Sequence, residues 1–191
     1  MERIAQALSV ALGQRDTSTF MHSERVITLA VELGTHLGLG SDELILLTHG
    51  ARFHDIGKIG IPDNILNKPA AFEKSDRDCM KAHPLIGERI IRALDTEHSH
   101  EVARVVRHHH ENFDGSGYPD GLAGNDIPLH SRIIALTDNY DAMAVARPYH
   151  KARSHREVMD ILHSECGIKH DPDLLRVFCT IIEKSPAKAD D

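Results

Sequence analysis

Five stretches of this chain carry a titratable side chain where a helix should bury an apolar one, and that placement constrains the fold more than any other feature. On a core-facing helix, apolar residues recur at three- and four-residue steps. His22 heads the stripe Val26, Leu29, Leu33, Leu37, and His54 and Asp55 extend Leu47 and Ala51. His83 leads Ile86, Ile90 and Leu94, while His109 and His110 close Val102, Val105 and Val106. Asp138 sits within Ile134, Asp138, Asp141, Val145. Singly, each has an ordinary explanation: a core histidine bonded to a carbonyl, or an aspartate in a cap or ion pair. Together they would bury five imidazoles and two carboxylates, at a cost on the order of several kcal/mol each if uncompensated. A bound cation supplies the compensation, and divalent transition metals accept mixed nitrogen and oxygen ligands. Seven donors exceed what one ion uses. Two ions sharing a bridging carboxylate would occupy all of them. Such pairs, roughly 3.5–4 Å apart, clamp the attacking and leaving oxygens in phosphoryl chemistry.

Helical periodicity runs throughout, and no alternating strand pattern interrupts it. The spacing predicts helices near 2–14, 18–38, 42–56, 74–81, 84–94, 99–110, 129–146, 155–165 and 172–184. The expected fold is all-α, a single helical bundle of about seven to nine helices. Ser41 before Asp42 and Glu43, the pair Ser154 and Glu157, and Asp171-Pro172 mark helix starts. Two loops stand out, Lys58 to Pro69 and the glycine-rich stretch from Glu111 to Pro128. Ordered loops this long in a compact domain are often functional. Residues 1–15 are expected to form an N-terminal helix or linker remnant, 16–184 the domain, and 185–191 a frayed tail.

With 191 residues the chain fits one domain. No apolar run is long enough for a membrane span. The net charge of −7 argues against a DNA partner, but bound cations would locally reverse the field for a small phosphate substrate. Cys79, Cys166 and Cys179 are widely spaced and odd in number, as in a reduced cytoplasmic protein. His108 shares a face with Glu101 and Arg104 and is expected to point to solvent. His36, His49, His98, His100, His130, His155, His163 and His170 are expected at helix ends or on the surface.

The chain resembles the HD-GYP family of bacterial phosphodiesterases. The matching text is HSERV at 22–26, HDIGKIGIPD at 54–63, KAHPLIG at 81–87, HHENFDGSGYPDGL at 109–122, DNYDAM at 138–143 and RPY at 147–149. The resemblance implies an HD-domain helical bundle that hydrolyses a cyclic dinucleotide. The typical substrate is cyclic di-GMP, opened to linear pGpG, where the reaction either stops or continues to GMP. Carried over by position, His22, His54, Asp55, His83, His109, His110 and Asp138 become ligands of two divalent ions, Fe or Mn first, with Ni, Co or Zn as alternatives. Asp55 takes the place of the bridging carboxylate. The implied reaction is attack on phosphorus by a metal-bridged hydroxide, with Lys58 on the substrate phosphate and Arg147 and Lys151 as further substrate contacts. Some members carry a glutamate four residues before the first histidine ligand, which supports a third metal. Ser18 stands there in this chain, so a binuclear centre is expected. His150 follows RPY where relatives often have Lys or Arg, and Lys151 is the substitute.

The loop holding Gly117, Tyr118 and Pro119 has two readings. It is either a substrate lip or docking surface for a diguanylate-cyclase-type partner, or a stiff connector that fixes His109 and His110. Relatives usually carry a sensory or receiver domain ahead of this one. Two competing functions share parts of the pattern: a general HD-type nucleotide phosphohydrolase, and a non-catalytic cyclic-dinucleotide sensor or interaction module. The first needs no GYP loop, and the second usually lacks some metal ligands.

Overall fold

The computed structural model describes residues 8, 10, 13, 17–145 and 152–190. Over these it is all-helical: α1 (Thr17–His36), α2 (Ser41–Phe53), α3 (Asp63–Leu66), α4 (Lys74–Met80), α5 (His83–Arg92), α6 (Ser99–His108), α7 (Leu129–Ala144), α8 (His155–Ser164) and α9 (Pro172–Ile182). Of two short 3-10 turns, Ile56–Gly60 leads into the first long loop and Gly124–Asp126 lies inside the second. Among the described residues, no helix is long and apolar enough to cross a membrane.

Helix ends follow local chemistry. The Ser154 hydroxyl accepts the N–H of Glu157, and Asp171 accepts those of Asp173 and Leu174. The α2 cap sits one residue earlier than Ser41: Glu43 reaches back to the N–H of Gly40. That helix stops at Phe53, short of the predicted 56, and the chain tightens into the 3-10 turn directly after His54-Asp55.

Two apolar clusters form the interior. The larger gathers α1, α2, α7, α8 and α9 around Val26, Leu29, Leu33, Leu47, Ile134, Tyr140, Leu162 and Phe178. The smaller joins α2, the first 3-10 turn, α5 and α6 around Phe53, Ile56, Ile91, Val102 and Val106. Helix α6 separates them, because Val105 belongs to one cluster and its neighbour Val106 to the other. His109 and His110 follow at its C-terminal end.

The α5 stripe needs correcting. Ile86, Ile90 and Leu94 are only half-buried, and the deep face is His83, Gly87 and Ile91. The reason is close approach of backbones. A side chain on Gly57 would stand 1.9 Å from the His83 carbonyl oxygen and 2.6 Å from the Gly87 nitrogen. The 3-10 turn therefore lies directly on α5, glycine against glycine.

Histidine placement also departs from expectation. His108 is buried, because the long loop folds back and puts Asp120 on it, Nε2 to Oδ2 at 2.9 Å. His49 and His170 are buried as well; His155 heads α8, a helix end as expected, and is also buried. His155 binds the Tyr140 hydroxyl and Glu183, and His49 stacks on Phe53. The segment expected to fray is docked: Ser185 donates to Glu32, Ala189 donates to the Tyr140 hydroxyl, and the Asp190 carbonyl accepts from His155.

Candidate metal centre

The stripes converge. His83, His109 and His110 offer ligand atoms within 4.8 Å of one another, and so do His22, His54 and Asp55. Asp55 spans the two groups, with Oδ1 3.3 Å from His83 Nε2 and Oδ2 3.5 Å from His54 Nε2. Asp138 joins from α7, with Oδ1 2.8 Å from His22 Nε2 and 4.0 Å from His54 Nε2. The Lys58 ammonium sits 2.5 Å from Asp55 Oδ2, one 3-10 turn along the chain.

Four of the five rings are aimed by hydrogen bonds at Nδ1. His54, His83 and His109 face the carbonyls of Ala51, Met80 and Val106, at 2.6, 2.8 and 2.6 Å. A carbonyl only accepts, so Nδ1 carries the proton and Nε2 of a neutral ring presents a lone pair. Those lone pairs face one another. His83 Nε2 and His109 Nε2 are 3.3 Å apart, and His54 Nε2 is buried with no hydrogen-bond partner among the described residues. Bare acceptors pointed together in a buried space fit a cation that accepts all of them.

The electrostatics agree with the donor set. Burial, reinforced by neighbouring imidazoles, holds His109 far below the usual histidine range and His110 at about 3. Burial also lowers His83. All three are therefore neutral, as ligation requires. Burial alone would raise the carboxylates, yet the Lys58 ammonium holds Asp55 well below its ordinary value, and His22 does the same for Asp138. His22 differs. Burial opposes its charge, but its bonds to Asp138 and Asp141 outweigh that and push it up to about 9. A divalent ion shared with Asp138 would compete with that proton.

His110 has no ring hydrogen bond among the described residues, and an aromatic ring holds it in place. Tyr118 stacks on it with centroids 4.9 Å apart and planes at 28°, and the Lys81 ammonium covers Tyr118 at 5.2 Å. The Tyr118 N–H also donates to the His110 carbonyl. The loop is pinned further on. Arg107 and His108 grip the Asp120 carboxylate, while Glu111 accepts the Asp120 N–H. This favours the connector reading: Tyr118 lies against a candidate ligand instead of projecting from the loop tip. Tyr118→Phe is expected to keep metal affinity, whereas Tyr118→Ala is expected to weaken it about tenfold. Titration of metal-stripped protein with Mn²⁺ checks both. Equal affinity in the two variants would exclude this support.

An open cavity of about 290 Å³ reaches His109 and His110 and is also lined by Lys81, Asn112, Tyr118 and Asn139. Arg147 and Lys151 lie outside the described residues. Sequence reasoning gave no role to Asp141 or Arg25. Asp141 was visible as a second acid three residues after Asp138 on the same stripe.

The HD domain family profile matches residues 6–174. The chain belongs to the HD domain family. Among curated HD domain relatives, a cyclic di-GMP phosphodiesterase response regulator of Xanthomonas campestris is 38% identical over 165 residues, covering 86% of this chain and 44% of that protein. A 3'3'-cGAMP-specific phosphodiesterase of Vibrio cholerae is 36% identical, covering 86% of this chain and 38% of that one. The chain thus spans less than half the length of these relatives. The solved structure of a cyclic GMP-AMP specific phosphodiesterase from V. cholerae superposes with a TM-score of 0.72 at 20% identity, over 96% of this chain and 49% of that one. The HD domain bundle expected from the sequence is therefore the fold. Its clusters of histidine and aspartate could bind metal ions.

Proposed function

We propose that this HD domain is a metal-dependent phosphodiesterase that opens a cyclic dinucleotide, cyclic di-GMP first, to a linear dinucleotide and onward to GMP. The observation that carries the reading is Asp55, whose two carboxylate oxygens face two separate groups of imidazoles. His22, His54 and Asp138 would hold one ion and His83, His109 and His110 the other, with Asp55 between them. When bound, two such ions, Fe or Mn, make water acidic enough to serve as a nucleophile near neutral pH and neutralise charge on phosphate oxygens.

The protein's own groups do the rest. The Nδ1 bonds fix which imidazole nitrogen faces the centre, so ligand geometry is set before substrate arrives. Lys58 stands beside Asp55 and can turn its ammonium to a non-bridging phosphate oxygen, adding charge stabilisation where negative charge develops. Arg147, toward substrate phosphate or base, and Lys151 are assigned from sequence alone as further substrate contacts. A cytoplasmic setting and a sensory or receiver domain in a longer parent chain belong to the same reading.

The relatives divide between cyclic di-GMP and the mixed GMP-AMP ring, so the mixed ring is the second substrate to test. The Fe- or Mn-loaded chain is expected to cleave one or both rings and to leave cyclic mononucleotides and nucleoside phosphates largely untouched. Preference for a mononucleotide ester would make this a general nucleotide phosphohydrolase. Tight binding of a ring without turnover would make it a sensor.

A further inference from the structure

We propose that Asp141, clamped by Arg25, is the positioning residue that presents His22 to the metal centre. The inference rests on His22 being a ligand and on no particular substrate.

His22 is aimed differently from its partners. His54 and His109 stand at the C-terminal caps of α2 and α6, where carbonyls near the helix end lack helical partners, and their Nδ1 atoms use those carbonyls. His22 lies inside the 20-residue helix α1, and its ring takes its acceptor from another helix. Asp141 supplies it from 119 residues away, Oδ2 to Nδ1 at 2.6 Å.

The geometry leaves one orientation. Asp138 and Asp141 are three residues apart on α7 and share a face. The His22 ring lies between them, Nε2 at 2.8 Å from Asp138 and Nδ1 at 2.6 Å from Asp141. Asp138 is on the side of His54 and the other donors, so Nε2 faces the centre and Nδ1 faces away. An ionised carboxylate behind an imidazole fixes its tautomer and raises its basicity as a ligand.

Arg25 fixes the carboxylate in turn. It stands three residues after His22 on α1, and its Nε and Nη2 donate to Oδ1 and Oδ2 of Asp141 at 2.6 and 3.0 Å. That forked grip sets the plane of a carboxylate only 3% exposed. His22, Arg25 and Asp141 therefore form one unit across α1 and α7.

A purely structural tie between these helices would affect stability alone. A positioning role affects metal affinity at constant fold. The test titrates EDTA-stripped wild type, Asp141→Asn, Asp141→Ala and Arg25→Met with Mn²⁺, reading the free ion by electron paramagnetic resonance and the metal-free melting temperature in parallel. Asp141→Ala is expected to bind about 10–100-fold more weakly. Asp141→Asn keeps the shape but loses the charge, and should fall between it and wild type. Arg25→Met should weaken binding less, because the His22–Asp141 bond remains. On any ring that is cleaved, kcat should fall with little change in KM.

If Asp141→Ala or Asp141→Asn folds and takes up Mn²⁺ within about threefold of wild type, the proposal is overturned, whatever the melting temperature does. If Asp141→Ala does not fold, Asp141→Asn decides by the same threshold. If wild type binds Mn²⁺ but cleaves no cyclic dinucleotide, the proposed reaction fails while the affinity series still judges Asp141. If wild type binds no metal, both fail.

Discussion

Asp55→Ala should empty the centre and stop turnover together. Asp55 is the one side chain among the described residues that faces both imidazole groups, 3.3 Å from His83 Nε2 and 3.5 Å from His54 Nε2. Without it, two dications would share one small space with no carboxylate between them, while Lys58 would lose the partner 2.5 Å away and add a third positive charge. Bound metal is expected to drop from two ions per chain to below one, with kcat down at least about a thousandfold, or roughly 4 kcal/mol of barrier at 1.36 kcal/mol per decade. Asp55→Asn should fall nearly as far, since the amide keeps the shape but neither the charge nor two acceptor oxygens. Elemental analysis of protein purified without oxygen, with steady-state turnover on the same samples, reads both quantities. Full metal content with ordinary turnover in Asp55→Ala would remove Asp55 from the centre.

The reason this centre could be read from sequence is that its residues violate the helix pattern in register. His22, His54, His83 and Asp138 occupy positions that an amphipathic helix gives to leucine or valine, so periodicity alone isolates them. Their convergence was not legible, because the donors come from residues 22 to 138 and only packing brings them together. The contacts that orient them were harder still. The His54 and His109 anchors are backbone carbonyls, which leave no mark on composition. Asp141 did leave one, three residues after Asp138, yet a stripe shows which face a residue occupies and not which neighbour it touches. His108 misled for the opposite reason. Its helical face is polar, and the loop that covers that face begins three residues later, so local pattern pointed to solvent while Asp120 and Arg107 closed over it. On α5 the pattern favoured Ile86 over Gly87, because the absence of a side chain carries no hydropathy signal.

That absence supports the second large prediction, Gly57→Ala. Gly57 lies in the HDIGK stretch, and the first 3-10 turn rests on α5 through it. A methyl group there would meet backbone, not a side chain that can rotate away: the His83 carbonyl oxygen at 1.9 Å, the Gly87 nitrogen at 2.6 Å and the His83 carbonyl carbon at 2.8 Å. The turn and α5 would have to separate by an ångström or more. Overpacking a tight core costs about 1–3 kcal/mol and more where the backbone must move, so a loss near the top of that range is expected. For a chain of this size that is a fall of roughly 6–12 °C in melting temperature. The functional effect should exceed the thermal one. The turn carries Lys58 and begins just after Asp55, while α5 begins with His83, so separating them pulls the Asp55 carboxylate from one of the two imidazole groups it faces. Even in the fraction that stays folded at 25 °C, metal occupancy should fall below two and turnover by about a hundredfold. Gly87→Ala is the control. Its closest neighbour, 2.8 Å away, is a Val106 side-chain methyl and its nearest backbone atom is 3.4 Å away, so a smaller loss of stability is expected, with metal occupancy retained. Equal metal content in Gly57→Ala and wild type would show that α5 and the turn can part without disturbing Asp55.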